Sequence, residues 1–347
     1  MPVLARSLEK CTVRRYIYIA FQQPSPGLSF EDQFALRPTG STTAAIIAPL
    51  YTVRTMLSDN QYVHVFSFDF TKAFDTVRHD ENSTATNFWQ YPQLDQELLR
   101  WTQPLHTVHQ SGQCSSVAEV KASITQGSML GPALYTVMAA DLHPVMPGNR
   151  LFKLADDTYL VYPAINTSSC LDEIVHIQAW ASENNLKLNC AKSKELIFCA
   201  REKCGQSTQL PSPCMNTERV NSMNVMGIII NDRITATDHV HTPLYDSAVC
   251  CMLSVSYAAT ASQLRHCTMC SERQSSQRLR TCSPAWAGSC SAADRAKLDN
   301  FMRRCKRLTY YATKFQRYSV MPMTHYLTVL WQTVTMCFTR TCLRDAI

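Results

Sequence analysis

The sequence predicts an α+β fold in which an antiparallel sheet is backed by helices, and three observations carry that prediction. The segment Tyr62-Val63-His64-Val65-Phe66-Ser67-Phe68-Asp69 alternates as a strand does, so Val63, Val65, Ser67 and Asp69 share one face and Asp69 lies toward the strand's end. Two apolar stretches, Leu151-Phe152-Lys153-Leu154 and Thr158-Tyr159-Leu160-Val161-Tyr162, flank Ala155-Asp156-Asp157 and read as a hairpin with acids at its tip. Leu171, Ile174, Ile177 and Ala181 recur at helical spacing up to Asn184-Asn185, before a short Leu196-Ile197-Phe198 strand, so a helix crosses behind the strands.

The remaining elements follow in order. A helix is read from Ser41 to Leu57, interrupted by Pro49, and an interior proline costs about 3 kcal/mol unless the helix kinks there. A second helix starts near Pro132, a residue suited to a first turn. In the tail, Leu298, Phe301, Met302, Cys305 and Leu308 form an apolar stripe. Arg295, Lys297, Arg303, Arg304, Lys306 and Arg307 populate the rest of that helix, as either a phosphate-contacting face or a solvated one. Asp238-His239-Val240-His241 has a ligand-like composition, and a solvated loop is the better reading.

Composition bounds the function classes. The chain has 347 residues, 46% of them apolar and 17% charged, enough to bury one large or two moderate cores. A formal charge of +6 is compatible with a nucleic-acid partner without requiring one. No apolar run approaches the roughly 18 residues of a membrane span, and the charged start with Arg6, Glu9 and Lys10 lacks a secretory apolar core, so an intracellular protein is expected. Sixteen scattered cysteines in such a chain are expected to be reduced thiols. His266-Cys267-Thr268-Met269-Cys270 has half of a zinc spacing, which Cys282 and Cys290 complete only irregularly, so no structural zinc is expected.

The chemistry-bearing residues are two acidic islands, Asp69-Phe70-Thr71-Lys72-Ala73-Phe74-Asp75 and Leu154-Ala155-Asp156-Asp157, with Gln126-Gly127-Ser128-Met129-Leu130-Gly131-Pro132 between them. Carboxylates brought together from separate strands can hold a pair of Mg²⁺ ions, which stabilise the attacking and leaving oxygens of an in-line phosphoryl displacement. Taken alone, Asp156-Asp157 is also an ordinary polar turn. The ordered set of three motifs points to nucleotidyl transfer.

These motifs resemble the reverse transcriptases of non-LTR (LINE-type) retrotransposons, nearest to the Jockey-like and chicken-repeat-like elements. The resemblance is collinear. It begins at Pro2-Val3-Leu4-Ala5-Arg6 and Val13-Arg14-Arg15-Tyr16-Ile17 and is dense at Asp32-Gln33-Phe34-Ala35-Leu36-Arg37-Pro38-Thr39-Gly40-Ser41-Thr42. It then takes in the three islands, Ile177-Gln178-Ala179-Trp180-Ala181, Lys192-Ser193-Lys194, Val225-Met226-Gly227-Ile228, Pro284-Ala285-Trp286 and Arg303-Arg304-Cys305-Lys306-Arg307-Leu308. It implies a right-hand polymerase fold, with fingers over 1–60, an antiparallel-sheet palm over 61–232 and a helical thumb over 233–347. The implied activity is RNA-directed DNA polymerisation with two Mg²⁺ ions, or Mn²⁺, on an RNA template, a DNA primer and deoxynucleotides.

Carried over by position, the resemblance makes Asp69 and Asp156 metal ligands, supported by Asp157 and by a backbone carbonyl near Phe70. Phe74 becomes the ring that excludes a 2′-hydroxyl, its other reading being a core phenylalanine. Gln126 and Gly127 pack on the nascent base pair, or form an ordinary turn. Lys192 or Lys194 lies near the leaving pyrophosphate, or is a solvated lysine, and Arg37 contacts the triphosphate. Met226-Gly227-Ile228 takes the place of the hairpin that grips the primer end, with Met226 where the family more often has Leu.

Several positions depart from the family. Leu154 stands where an aromatic residue is usual. Between His79 and Lys121, Glu81-Asn82-Ser83-Thr84-Ala85-Thr86-Asn87 replaces an expected amphipathic helix, and 262–277 is polar where a thumb helix is expected. Met1 falls inside the fingers, so an early fingers segment and an upstream endonuclease domain are expected to be absent. Two function classes stand side by side, a working reverse transcriptase and a catalytically inactive retrotransposon relic that at most binds nucleic acid.

Overall fold

The computed structural model describes residues 3–24, 29–36, 40–76, 128, 130–200, 210–214, 217–257, 275, 278–279 and 281–307, with four residue pairs between 105 and 119. The chain forms two compact units, Met1–Met226 and Gly227–Ile347.

The first unit opens with helices α1 (Val3–Thr12) and α2 (Tyr18–Gln22), joined by a π-helical turn over Val13–Ile17. Helix α3 (Thr42–Asp59) leads into strand β1 (Tyr62–Phe68), followed by the single turn α4 (Ala73–Thr76). Helix α5 (Leu130–Met138), strands β2 (Arg150–Leu154) and β3 (Asp157–Pro163), helix α6 (Cys170–Glu183) and strands β4 (Lys194–Cys199), β5 (Glu218–Arg219) and β6 (Ser222–Val225) complete it. One five-stranded sheet organises the unit, in the order β2-β3-β1-β4-β5. All its pairings are antiparallel except β4 with β5.

The central strand β1 is apolar on both faces because both are covered. Phe66 and Phe68 join Tyr135, Leu142, Leu160, Ile174, Ile177 and Trp180 in one core, so α5 and α6 cover that face. Alternation turns Val63 and Val65 the other way, toward the face crossed by α3, whose Ala45, Ile46, Leu50 and Val53 are buried. Helix α3 begins at Ser41, whose Oγ accepts from Ala44 N at 3.1 Å. Pro49 does not break it: the helix runs on to Asp59 with Pro49 on its buried face, where apolar contact offsets the missing N–H.

Helix α6 ends as expected, with Asn184 as its cap and Asn185 in the left-handed region at φ +58°. Its buried stripe is Cys170, Ile174, Ile177 and Ala181, joined by Glu173 and Trp180. Leu171 falls outside it and is 51% exposed, a correction to the predicted face that follows from a shift of one residue, or about 100° around the helix. Glu173 is buried because its carboxylate accepts from Val145 N, Met146 N and Asn149 Nδ2.

In the second unit, strand β7 (Ile228–Asn231) packs on helix α7 (Thr237–Tyr257), with α8 (Ser283–Trp286) and α9 (Ala292–Arg307) following. The solvated loop expected at Asp238-His239-Val240-His241 is instead the first turn of α7. His239 and Val240 are buried there, the His239 ring lying edge-on to Trp286 at 4.9 Å. In α9, Phe301 is buried and Leu298 half-buried, while Arg295, Lys297 and Arg303 are exposed, so the predicted apolar and basic faces separate at the residues described. Within that unit Asp294 accepts from Ser291 Oγ at 2.7 Å and Thr237 Oγ1 at 3.0 Å, tying the starts of α7 and α9 together.

Most of the divergent 79–121 segment and of the polar 262–277 segment lies outside the described residues. So do His266, Cys267 and Cys270. No helix among the described residues is long and apolar enough to cross a membrane.

Candidate active site

Two strand ends bring the acids together. Phe68 of β1 pairs with Thr158 of β3, and Leu154 pairs with Asp157 across the hairpin. Asp69, one step beyond Phe68, therefore comes level with Asp157, and Asp156 stands in the turn beside it. Ala155 makes that turn tight by entering the left-handed region at φ +56°.

Electrostatics record the same convergence. Burial, and then the Asp69 charge, hold the Asp156 carboxyl above the usual carboxylate range, against a lowering backbone hydrogen bond. Surrounding protein and then the charges of Asp156 and Asp69 push Asp157 up to about 6, although its side chain reaches solvent. Three carboxylates that repel one another at the edge of a core suit a hard divalent cation, whose charge removes the repulsion. Among the described residues no three His, Cys, Asp or Glu side chains stand close enough to form a complete metal-holding cluster by themselves. The donor chemistry, hard carboxylate oxygen, suits a divalent cation that completes its shell with oxygens from elsewhere.

Asp69 is held through its own backbone N–H and carbonyl. Its carbonyl accepts from Asn189 N at 2.8 Å and its N–H donates to Ser193 Oγ at 3.3 Å, while Ser193 Oγ donates to Asn189 O at 2.9 Å. Lys192 lies in that same turn and is exposed, so the fold brings it beside the acidic strand end. Lys194 is already engaged, its Nζ 3.2 Å from Glu218 Oε2. Phe70 faces Leu188 in an isolated antiparallel bridge bonded through Thr71 N and Asp69 O, so the Phe70 carbonyl takes no part in that ladder.

Phe74, on α4, packs its ring against Tyr135 at 5.4 Å and is half-buried, between a core residue and a surface one. Arg37, Gln126 and Gly127 lie outside the described residues. Leu154 sits opposite Asp157 and supplies no phenolic ring at the tip.

Three neighbours of the acids, Tyr135, Tyr159 and Gln33, carry roles that no sequence motif assigned to them. Tyr135 is 1% exposed and its hydroxyl has no partner among the described residues. Burial, and then Asp156 and Asp157, raise its phenol far above the ordinary range. Tyr159, paired with Ser67 across the sheet, accepts from Met226 N at 3.2 Å and is likewise raised by burial and then by Asp157. Gln33 bonds the hairpin turn directly, its Oε1 accepting from Ala155 N at 3.2 Å.

The reverse transcriptase (RNA-dependent DNA polymerase) family profile matches residues 1–230, taking in both strand ends and the Lys192 turn. The chain belongs to the reverse transcriptase family. Curated relatives of this reverse transcriptase include the probable RNA-directed DNA polymerase from transposon X-element of Drosophila melanogaster, 22% identical over 69% of this chain and 27% of that protein. The RNA-directed DNA polymerase from mobile element jockey of Drosophila funebris is 24% identical over the same shares. That from transposon BS of Drosophila melanogaster is 24% identical over 60% of this chain and 24% of its own length. The chain thus spans about a quarter of the curated relatives it matches, one of which comes from the jockey element itself. Among solved structures, apo telomerase from Candida tropicalis aligns with 96% of this chain and 59% of its own at 11% identity, with a TM-score of 0.46. With its antiparallel sheet and flanking helices, the reverse transcriptase unit is an α+β, right-hand polymerase domain.

Proposed function

We propose that the chain is an RNA-directed DNA polymerase domain that joins deoxynucleotides to a primer 3′-hydroxyl on an RNA template. The observation that carries this reading is the meeting of Asp69, at the end of β1, with Asp156 and Asp157 at the tip of the β2–β3 hairpin, where each charge opposes the others. Asp69 and Asp156 would hold two Mg²⁺ ions, or Mn²⁺, with Asp157 in support. When bound, such ions lower the charge on the phosphoryl oxygens and activate the attacking hydroxyl.

The chain's own residues do the rest. The Asn189–Ser193 contacts fix the backbone of Asp69, so its carboxylate is presented from a rigid strand end. Lys192 supplies a cation beside that end, suited to the charge that develops on a leaving pyrophosphate. Phe74, backed by Tyr135, sets a flat wall against which a 2′-hydroxyl would clash. RNA template, DNA primer and deoxynucleotides are the substrates of this reading, with Arg37, Gln126 and Gly127 assigned to the nucleotide and base pair by family position alone.

Purified protein should incorporate deoxynucleotides on a primed RNA template in a Mg²⁺-dependent manner. Asp69→Ala and Asp156→Ala should each lose at least about 10³-fold, since they remove charge stabilisation available only in the transition state. Equal incorporation by the variants would remove these residues from the site. A second reading, an inactive relic, is favoured by Leu154, which leaves the tip without the family's aromatic ring. Folded wild-type protein that incorporates nothing would select it.

A further inference from the structure

We propose that Gln33 is the positioning residue of the hairpin tip that carries Asp156, a role that rests on the polymerase reading of that tip. Gln33 is 1% exposed, an unusual place for a side-chain amide. Its Oε1 accepts from Ala35 N at 3.0 Å and from Ala155 N at 3.2 Å. Both partners are N–H donors, so chemistry alone orients the amide with its oxygen toward the turn. Its Nε2 has no partner among the described residues, which leaves those two bonds as what the buried amide gains.

Ala155 is where such support matters. It lies between Leu154 and Asp157, the last pair of the β2–β3 ladder, and its φ of +56° is a conformation that alanine adopts only at a cost. Asp156 is the next residue, so any loosening at Ala155 moves that carboxylate first.

Gln33 itself stands on a firm base. Lys153 N donates to Asp32 O at 2.7 Å and Phe34 N to Lys153 O at 2.8 Å, adding the Asp32-Gln33-Phe34 segment to the open edge of β2. The Lys153 ammonium, fully buried, pairs with Asp32 Oδ2 at 2.9 Å and donates to Ala139 O at 2.7 Å and Leu142 O at 2.9 Å. Burial lowers its pKa, against the raising influence of Asp32. Asp69 is anchored separately by the Asn189–Ser193 turn. The two arms of the acidic site thus have independent anchors, and Gln33 serves only the Asp156 arm.

The test compares Gln33→Met, which keeps the length and loses the acceptor, with Gln33→Glu, which keeps an acceptor oxygen, and Gln33→Asn, which is too short to reach Ala155. Amide hydrogen exchange is read at Ala155 with Leu160 of β3 as an internal reference, beside steady-state incorporation on primed RNA. In Gln33→Met and Gln33→Asn, Ala155 should exchange about tenfold faster or more while Leu160 is unchanged. In both, kcat should fall by about tenfold or more with nucleotide KM within about twofold, the pattern of a misplaced catalytic group. Gln33→Glu should restore Ala155 protection and much of kcat. Unchanged protection of Ala155 in the variant that folds, or wild-type kcat in spite of lost protection, would overturn the assignment. If wild-type protein incorporates nothing, the polymerase reading falls, while Ala155 exchange still decides whether Gln33 holds the turn.

Discussion

His239 is 3% exposed, and burial lowers its imidazole pKa to about 4 from an ordinary 6.5. Its contacts explain why nothing opposes that shift: an edge-on Trp286 ring, Ile229 N at 3.5 Å from Nδ1, and an Nε2 with no partner among the described residues. A folded-state pKa below the unfolded one gives stability that is present above about pH 6.5 and lost as the pH falls toward about 4, to the extent of about 3 kcal/mol. Unfolding free energies measured across that range should fall in the wild type and flatten in His239→Phe. Parallel curves would mean that another group carries the dependence. Such a histidine is invisible in sequence, because Trp286, which helps to bury it, lies far along the chain. Tyr135 and Gln33 escaped for the same reason, their meaning residing in Asp156, Phe74 and Ala155. Asp69, Asp156 and Asp157 were legible because strand alternation and a tight turn are local rules that place them without reference to distant residues.

At the scale of elements, periodicity served where one face decides burial. Strand β1, the β2–β3 hairpin and strand β4 fall where the apolar pattern put them. Helix α6 shows the limit of the rule: its apolar residues outnumber its buried positions, and Leu171 and Val175 are each 51% exposed. Ile174 and Ile177, 2% and 0% exposed, sit in the core with Phe66 and Trp180. Leu171→Glu should therefore change stability by no more than about 0.5 kcal/mol, while Ile174→Ala should cost about 2–5 kcal/mol. Denaturant unfolding of the two variants decides it, and equal losses would restore Leu171 to the face. Pro49 misled for a related reason. Its position on the buried side of α3 lets packing carry a residue that helix propensity rejects. Strand β5, only two residues long, carries no period to read.

For the whole molecule, the family match over 1–230 and the first compact unit end within a few residues of one another. The formal charge of +6 matters to binding rather than to fold. If a nucleic-acid backbone is the partner, affinity for a primed RNA should fall by about tenfold or more between about 50 and 200 mM salt, as each neutralised phosphate releases counterions. Affinity independent of salt would argue against phosphate contact. The order of strands in the sheet also bears on how the molecule is made. Strand β1 sits in the middle, yet Val63 pairs with Pro163 and Phe198, so its two neighbours leave the ribosome about 100 and about 135 residues after it. Until then a strand apolar on both faces has two open edges. A chain interrupted by a stop codon before Lys194 would lack β4 and leave β1 with an unpaired edge, the kind of edge that promotes aggregation. A copy shortened there would still hold all three acids, Asp69, Asp156 and Asp157, yet lack the neighbour that covers one edge of the strand leading to Asp69.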